Sequence, residues 1–549
     1  MGYIASFSLS AIIDRCARCT IGIVLLVSLS SCTSLPITPH TPDSLALTAE
    51  ALARQQQNSP VLGAGNHLNQ AINEQTARHP SLSGYYPIAT GANAFASRSI
   101  LSDMATQTID VQYYIWHNDE AGQLMLKDLW QAAERGVVVR LLLDDFNGSP
   151  DLDAVLARFA KHPNIAVRLI NPVANRKWRF LDYISSPLRI NRRMHNKSMT
   201  FDNRISILGG RNIGNEYLNN DKSNQFADLD VLLVGEVVGD ISHSFNDYWE
   251  SPLAFDIETL VATPDDSHFL QNLDVDLARK QRADREERAL RTYREAVASS
   301  TIGEDLLNKQ LAFRWAVIDF LADDAQKISH TIAEGGLLVN KLRHKLGMPN
   351  SQFSIVSSYF VPTKDGVDGL VRLANQGVKV HILTNSYDAT DVGAVHAGYA
   401  DYRKTLLKAG ISLYELKSTA RRDDKPTDDN DNRLWRTRGQ TTTSLHAKAF
   451  AVDDHKVFIG SYNVDPRSAN LNSELGVLIY DDRLAARLHQ AFGEGMQHQA
   501  YKVVLNGDNL EWHTLENNEP TVLTQEPNMQ PGDKIGIAIL SKLPIDWLL

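Results

Sequence analysis

The chain has 549 residues, a formal net charge of -10, 43% hydrophobic residues and 22% charged residues. Those fractions exclude a disordered or fibrous chain and leave enough apolar material for a large core, divided by length alone into roughly three domains. The acidic balance argues against a general nucleic-acid binder, which would carry a broad basic face.

At the N-terminus, Arg15 and Arg18 precede an apolar run from Ile21 to Leu29. The run is too short to span a bilayer and has the length of a signal-peptide core. It ends in Leu29-Ser30-Ser31-Cys32, which resembles the bacterial lipobox. That resemblance implies removal of residues 1–31 and a lipid on Cys32, the new first residue. Cys16 and Cys19 would leave with the peptide, so the mature chain would hold no free thiol and no disulfide. Thr33, rather than Asp, follows the Cys. The expectation is a cell-envelope protein anchored through Cys32, facing the periplasm, in the outer rather than the inner membrane.

Residues 32–84 are rich in Pro, Gln, Asn, Ser and Ala and read as a tether with one helix around Leu45 to Gln56. From Ile109 the pattern changes to a strand (IDVQYYIW), an amphipathic helix closed by Gly136, and an apolar strand (VVVRLLLDD). A strand, helix, strand unit predicts an α/β fold with parallel strands. The unit recurs from Phe353 to Ser386, with Gly377 in the place of Gly136. The repeat therefore covers whole lobes, 85–258 and 309–503, with strand character from Leu311. Between them, 259–308 carries an exposed, densely charged connecting helix, Ala278 to Val297, with intrahelical ion pairs. Inside lobe two, 418–444 is a polar insertion just before His446; it reads as a mobile loop, either a cover over the site or simply solvated. The tail, 504–549, ends in KIGIAILSKLPIDWLL, which suits contact with a membrane interface.

The most informative repeat is shorter. His446-x-Lys448, then Asp453, then Gly460-Ser461-x-Asn463 matches His195-x-Lys197, Asp202 and Gly209-Gly210-x-Asn212 at identical internal spacing, 251 positions apart. If the segments are strands, His and Lys two apart face one pocket. The polar pairs Asp202-Asn203 and Asp453-Asp454 then read as hairpin turns, and the return strands bring Asn212 and Asn463 back toward the histidines. Small residues at Gly210 and Ser461 would let the backbone approach an anion. Each copy gathers a nucleophile, a cation and amide donors, the equipment for holding and attacking a phosphate.

This doubled motif resembles that of the phospholipase D superfamily. The resemblance implies an α/β fold of two similar lobes, each a mixed, largely parallel sheet flanked by helices, with one shared active site at their interface. It implies phosphodiester exchange through a phosphohistidine, without metal or cofactor. By resemblance His195 is the nucleophile and His446 the acid and base, with the reverse assignment open. Lys197, Lys448, Asn212 and Asn463 would clamp the phosphoryl oxygens. A nucleophilic His needs an acceptor to orient its ring; Glu474 fits that role in copy two and Asp228 in copy one, although Phe226 stands where copy two has Asn472. Asp202 and Asp453 complete the catalytic motif and are expected to fix its turns.

Further stretches, among them NRRMHNKSMTFDN, FADLDVLLVG and the terminal LPIDWLL, resemble the cardiolipin synthase C branch. That implies phosphatidyl transfer between phospholipids, with phosphatidylglycerol, phosphatidylethanolamine and cardiolipin as substrates or products, and no nucleic-acid partner. A hydrolytic phospholipase D using water is the alternative; a secreted nuclease and an inactive lipid-binding scaffold stand further back. Independently, Arg176 to Arg193 mixes six basic residues with Trp178, Phe180 and Tyr183, and could rest on anionic headgroups of a membrane surface.

Overall fold

Two open sheets meet edge to edge along one seam in the computed structural model. It describes residues 34–57, 67–218, 224–262, 269, 271, 273, 284–390, 392–418, 442–493 and 495–529. The leader with Cys32, nearly all of the 418–444 insertion and the terminal apolar tail lie outside the described residues.

The strands of lobe one are β1 (Ser83–Ile88), β2 (Thr108–Tyr113), β3 (Val138–Asp144), β4 (Ile165–Ile170), β5 (Ser198–Phe201), β6 (Ile205–Gly209), β7 (Asn224–Ala227), β8 (Asp230–Gly235) and β9 (Ala254–Asp256). Those of lobe two are β10 (Arg314–Ala322), β11 (Gln352–Ser357), β12 (Lys379–Asn385), β13 (Ser412–Leu416), β14 (Thr442–Leu445), β15 (Lys448–Val452), β16 (Lys456–Gly460), β17 (Leu475–Tyr480), β18 (Ala500–Asn506), β19 (Asn509–Glu516) and β20 (Glu519–Leu523). Lobe one is ordered β1-β8-β6-β5-β2-β3-β4-β9. Lobe two repeats it as β10-β17-β16-β15-β11-β12-β13-β18 and adds β19 and β20. The centre of each lobe, β2-β3-β4 or β11-β12-β13, is parallel, as the strand, helix, strand units demand. The motif segments add the antiparallel hairpins β5-β6 and β15-β16. Antiparallel pairing of β1 with β10 closes the seam.

The crossover helices Glu120–Glu134 and Thr363–Asn375 stop at Gly136 and Gly377, at φ of 90° and 92°. Only glycine takes that left-handed conformation without strain, so both copies end their helix on the same residue. Where the lobes meet, Leu208 and Val231 of lobe one share a buried apolar cluster with Ala449, Ile459 and Val477 of lobe two. The lobes are thereby fixed by a common core.

Two expectations change. Residues 34–57 and 67–84 are not a free tether. Helix Pro42–Gln57 buries Leu47 and Ala51 against Val138, Leu142 and Trp249. Its Ser44 hydroxyl donates to Asp256 at 2.9 Å, beside the Arg168–Asp256 pair, also at 2.9 Å. A second helix spans His67–Ala77, and Leu68 and Ile72 enter the lobe-one core. The polar composition concealed a thin apolar stripe. The connecting helix, described as Asp284–Ser299, is also not simply exposed, because Leu290 and Tyr293 are buried and Tyr293 packs on Phe95 with ring centroids 4.3 Å apart.

Candidate active site

The parallel pair β7-β14 places Ala227 opposite Leu445, so the next residues on each strand, Asp228 and His446, come side by side. The His446 N–H donates to the Ala227 carbonyl at 2.8 Å, and its ring Nδ1 lies 2.6 Å from Asp228 Oδ2. The same arrangement recurs with the lobes exchanged. Met194 pairs with Ser473, the His195 N–H donates to the Ser473 carbonyl at 2.9 Å, and His195 Nδ1 lies 2.8 Å from Glu474 Oε2. Each histidine is therefore oriented by the other lobe's carboxylate. The expected pairing within each copy is corrected: histidine and carboxylate of one repeat do not meet, because the bridging segments run between lobes. A carboxylate on Nδ1 holds the proton there and leaves Nε2 as the basic nitrogen.

The other motif residues close around the histidines. Lys197 and Lys448 are almost wholly buried and each ammonium donates to the carbonyl of its own motif histidine, at 2.7 Å for Lys197. Asn212 Oδ1 accepts the Ile115 N–H at 3.1 Å, and its Nδ2 is buried with no partner among the described residues. Asn463 Oδ1 likewise accepts from the Ser358 hydroxyl, at 2.8 Å. In both, the amide oxygen is occupied, which leaves the NH2 for an anion. Gly210 and Ser461 have a structural reason to be small besides the one expected. A Cβ on Gly210 would stand 2.1 Å from Asp228 Oδ1, and the Ser461 hydroxyl donates to Glu474 Oε2 at 2.5 Å. Both positions serve the orienting carboxylates. Phe226 packs on His446 at 5.0 Å and leaves Asp228 in place.

Burial and cations set the protonation. Burial, then Lys197, Lys448 and Arg467, hold His195 well below the ordinary imidazole range. Burial and Lys448 lower His446 to about 4 against the opposing pull of Asp228. Burial pulls Lys197 down to about 7. The carboxylates diverge. Burial would raise both, but His446, Lys448 and Arg211 hold Asp228 at about 2, whereas Glu474 is pushed up to about 7 despite Lys197 and the Ser461 hydroxyl. Two neutral imidazoles, two buried ammonium groups and an unpaired amide donor make a site for one phosphodiester.

Comparison with known proteins agrees with this geometry. The family described as "Cardiolipin synthase, PLD-like domain" matches residues 101–249 and 342–496, more than half of the chain and once in each lobe. The chain belongs to this family of phospholipase D-like proteins. It is 38% identical to cardiolipin synthase C of Escherichia coli (strain K12) over 483 residues, covering 88% of this chain and 99% of that protein. It is 25% identical to a cardiolipin synthase of Staphylococcus aureus (strain N315) over 71% of this chain and 62% of that one. Among solved structures, phosphatidylserine synthase of Haemophilus influenzae Rd KW20 shares the fold, with a TM-score of 0.54 at 16% identity over 88% of this chain and all of that one.

Not every motif residue reaches the reacting centre. Asp202 and Asp453, grouped above with the catalytic set, sit at the hairpin turns with φ of 51° and 52°. Asp202 Oδ1 accepts from the N–H of Gln107 at 2.7 Å and of Thr108 at 3.1 Å, pinning the start of β2. Asp453 Oδ1 accepts from the Ser351 N–H at 2.8 Å and from the Gln352 N–H at 3.2 Å, pinning β11. Each lies about 20 Å of extended chain from its histidine. Two residues that the motif does not contain stand nearer. Asp144 Oδ2 accepts the Met194 N–H at 2.8 Å, and Asn385 Oδ1 accepts the Leu445 N–H at 2.7 Å, each fixing the residue before a histidine. Aligning the repeats on Gly136 and Gly377 superposes Asp144 on Asn385, and that was the available signal.

The basic stretch before His195 behaves differently from the expectation. Arg176 pairs with Asp145 and Asp153, Arg179 with Asp145 at 2.9 Å, Arg189 with Asp182 at 3.6 Å, and Arg193 with Asp144 at 3.3 Å. Their charge is neutralised inside the lobe, because several of the acids that match them lie on other elements, out of view of the local sequence.

Proposed function

We propose that the chain transfers a phosphatidyl group from one phospholipid to the hydroxyl of another, as a phosphatidyltransferase of cardiolipin synthase type, through a phosphohistidine. The observation that carries this reading is the cross-lobe exchange of carboxylates, which makes the two histidines a matched pair around one buried cationic site.

The negative charge of the bound phosphodiester raises the otherwise neutral His446, which takes up a proton from solvent on Nε2; His195 Nε2 attacks phosphorus, and His446 gives that proton to the departing alkoxide oxygen. The acceptor hydroxyl then loses its proton to His446 and attacks the phosphohistidine, returning His195 unchanged. The divergent carboxylates support these roles. Asp228, held ionised, favours an imidazolium at His446, whereas Glu474, raised to about 7, gives His195 less reason to protonate and leaves it a nucleophile. Lys197, Lys448 and the amides of Asn212 and Asn463 would hold the phosphoryl oxygens as charge builds on them.

The finer assignment takes phosphatidylglycerol and phosphatidylethanolamine as substrates and cardiolipin as product, at a membrane surface in the cell envelope. Its supports are the family, the apolar run from Ile21 to Leu29 and the Cys32 context. Lipid mass spectrometry tests it. The protein and its His195→Ala variant are incubated with mixed vesicles of the two lipids. Cardiolipin that disappears with the variant is the expected result. Phosphatidic acid alone would replace transfer by hydrolysis, and no turnover would sink both.

A further inference from the structure

We propose that Phe146, Trp178 and the paired helices Phe180–Ser185 and Pro187–Ile190 form the surface by which the protein enters the outer layer of a phospholipid bilayer, beside its active site. The nature of the occupant rests on the phosphatidyl-transfer reading; the surface itself does not.

Among the described residues, twelve large hydrophobic side chains are exposed, and six of them are Phe146, Trp178, Phe180, Tyr183, Ile184 and Leu188. Leu188 is 78% exposed and Ile184 70%. Isolated apolar residues at a surface are ordinary, but half of them drawn from one short stretch and its neighbour are not. The helices are held by their inner side, where Asp182 accepts the Ala174 N–H, the Asn171 amide donates to the Arg189 carbonyl at 2.9 Å, and Ile190 is buried. The apolar side chains are thus presented by a fixed support.

Charge decides between an electrostatic and an apolar mode of attachment. Four of the six basic residues here are matched by acids of the same lobe, as described above. Arg192 donates to the Lys327 carbonyl and the Thr331 hydroxyl, both at 3.0 Å. Lys177 extends over Trp178, its ammonium 6.0 Å from the ring, as a side chain at headgroup level would. A surface with aromatic and aliphatic tips and little free charge fits the interfacial layer of a bilayer whatever the sign of its headgroups.

Position ties the surface to the chemistry. Phe146 stacks on Tyr114 at 5.4 Å, and Tyr114 meets the His195 ring edge-on at 4.8 Å. Insertion there would set the reacting phosphate of a bilayer lipid beside the histidines while its acyl chains stay in the layer.

The test uses the full chain on phosphatidylcholine vesicles with brominated acyl chains for quenching, and on mixed phosphatidylglycerol and phosphatidylethanolamine vesicles for turnover. Tryptophan quenching should fall sharply in the Trp178→Phe variant, equally with and without added anionic lipid and at low and high salt. The double variant Phe180→Glu, Leu188→Glu should lose about tenfold or more in turnover of vesicle lipid, yet keep its turnover of a short-chain phospholipid dissolved as monomers. Quenching unchanged by Trp178→Phe, as a protein partner on this face would give, overturns the proposal. So does quenching confined to anionic lipid at low salt, or a double variant that treats both substrates alike. If the unaltered protein turns over neither substrate while Trp178 is quenched, phosphatidyl transfer falls and the docking surface stands.

Discussion

His446 of lobe two has its ring held by Asp228 of lobe one, at 2.6 Å, and among the described residues neither has an equivalent partner in its own repeat. With Glu474 on His195, the site exists only when both lobes are in register. Asp228→Asn should therefore lower kcat about a thousandfold or more, by offering the ring a donor where it needs an acceptor, with the melting temperature little changed. Glu474→Gln should do the same through His195. Steady-state turnover with circular dichroism melting checks both, and a loss below tenfold in either would remove the orienting role.

Gly210 tests the same pair without touching a titratable group. The added methyl of Gly210→Ala would overlap Asp228 Oδ1 at 2.1 Å, so the carboxylate must swing away from His446. Activity should drop at least about tenfold. Gly239→Ala, where a Cβ meets nothing within 4 Å in a helix, should leave both activity and stability at or above the original. Equal behaviour of the two variants would show that Asp228 does not need the space.

The pH profile carries the mark of Lys197. Its folded value of about 7 lies below the ordinary lysine value, so the charged form that binds phosphate is lost as pH rises through about 7. In the free enzyme kcat/KM should fall on the alkaline side with a midpoint near there. Lys197→Arg keeps its charge across that range, and should be slower at neutral pH but free of that limb. An alkaline limb unchanged by the substitution would assign it to another group.

Lobes, hairpins and the residues of the site were legible because each repeats, and a repeat carries its own register: the Gly136 and Gly377 stops and the two His-x-Lys segments could be set against each other with no structure. Partnership across the lobes was not legible. Nothing in FADLDVLLVG tells Asp228 which histidine it will meet, since the β7-β14 pairing is decided by how two finished lobes dock. The arginines of 176–193 failed in the same way. They read as a basic surface because Asp144, Asp145 and Asp153 belong to other elements. Helix Pro42–Gln57 was read as a tether because few apolar residues mark its buried stripe, Leu47 and Ala51 among them.

Asp202 and Asp453 separate structure from chemistry within the motif itself. Asp202 is buried and accepts the N–H groups of Gln107 and Thr108, so Asp202→Ala should cost about 3 kcal/mol. Urea unfolding should show a lower midpoint with an unchanged slope, and the folded fraction should keep its kcat. Asp453 is less deeply buried, and water can replace part of what it does, so its loss should be smaller. Burial would raise the Asp453 carboxyl, but the N–H groups of Ser351, Gln352 and Asn350 outweigh it and hold the group below the ordinary carboxylate value. A depressed acid stabilises the fold above its unfolded value, and that contribution disappears as pH falls through the folded one. Asp453→Asn should therefore flatten the acid side of the stability profile, while kcat at neutral pH stays. If either Asp variant instead lost kcat at unchanged stability, these two carboxylates would have to act on the phosphate after all.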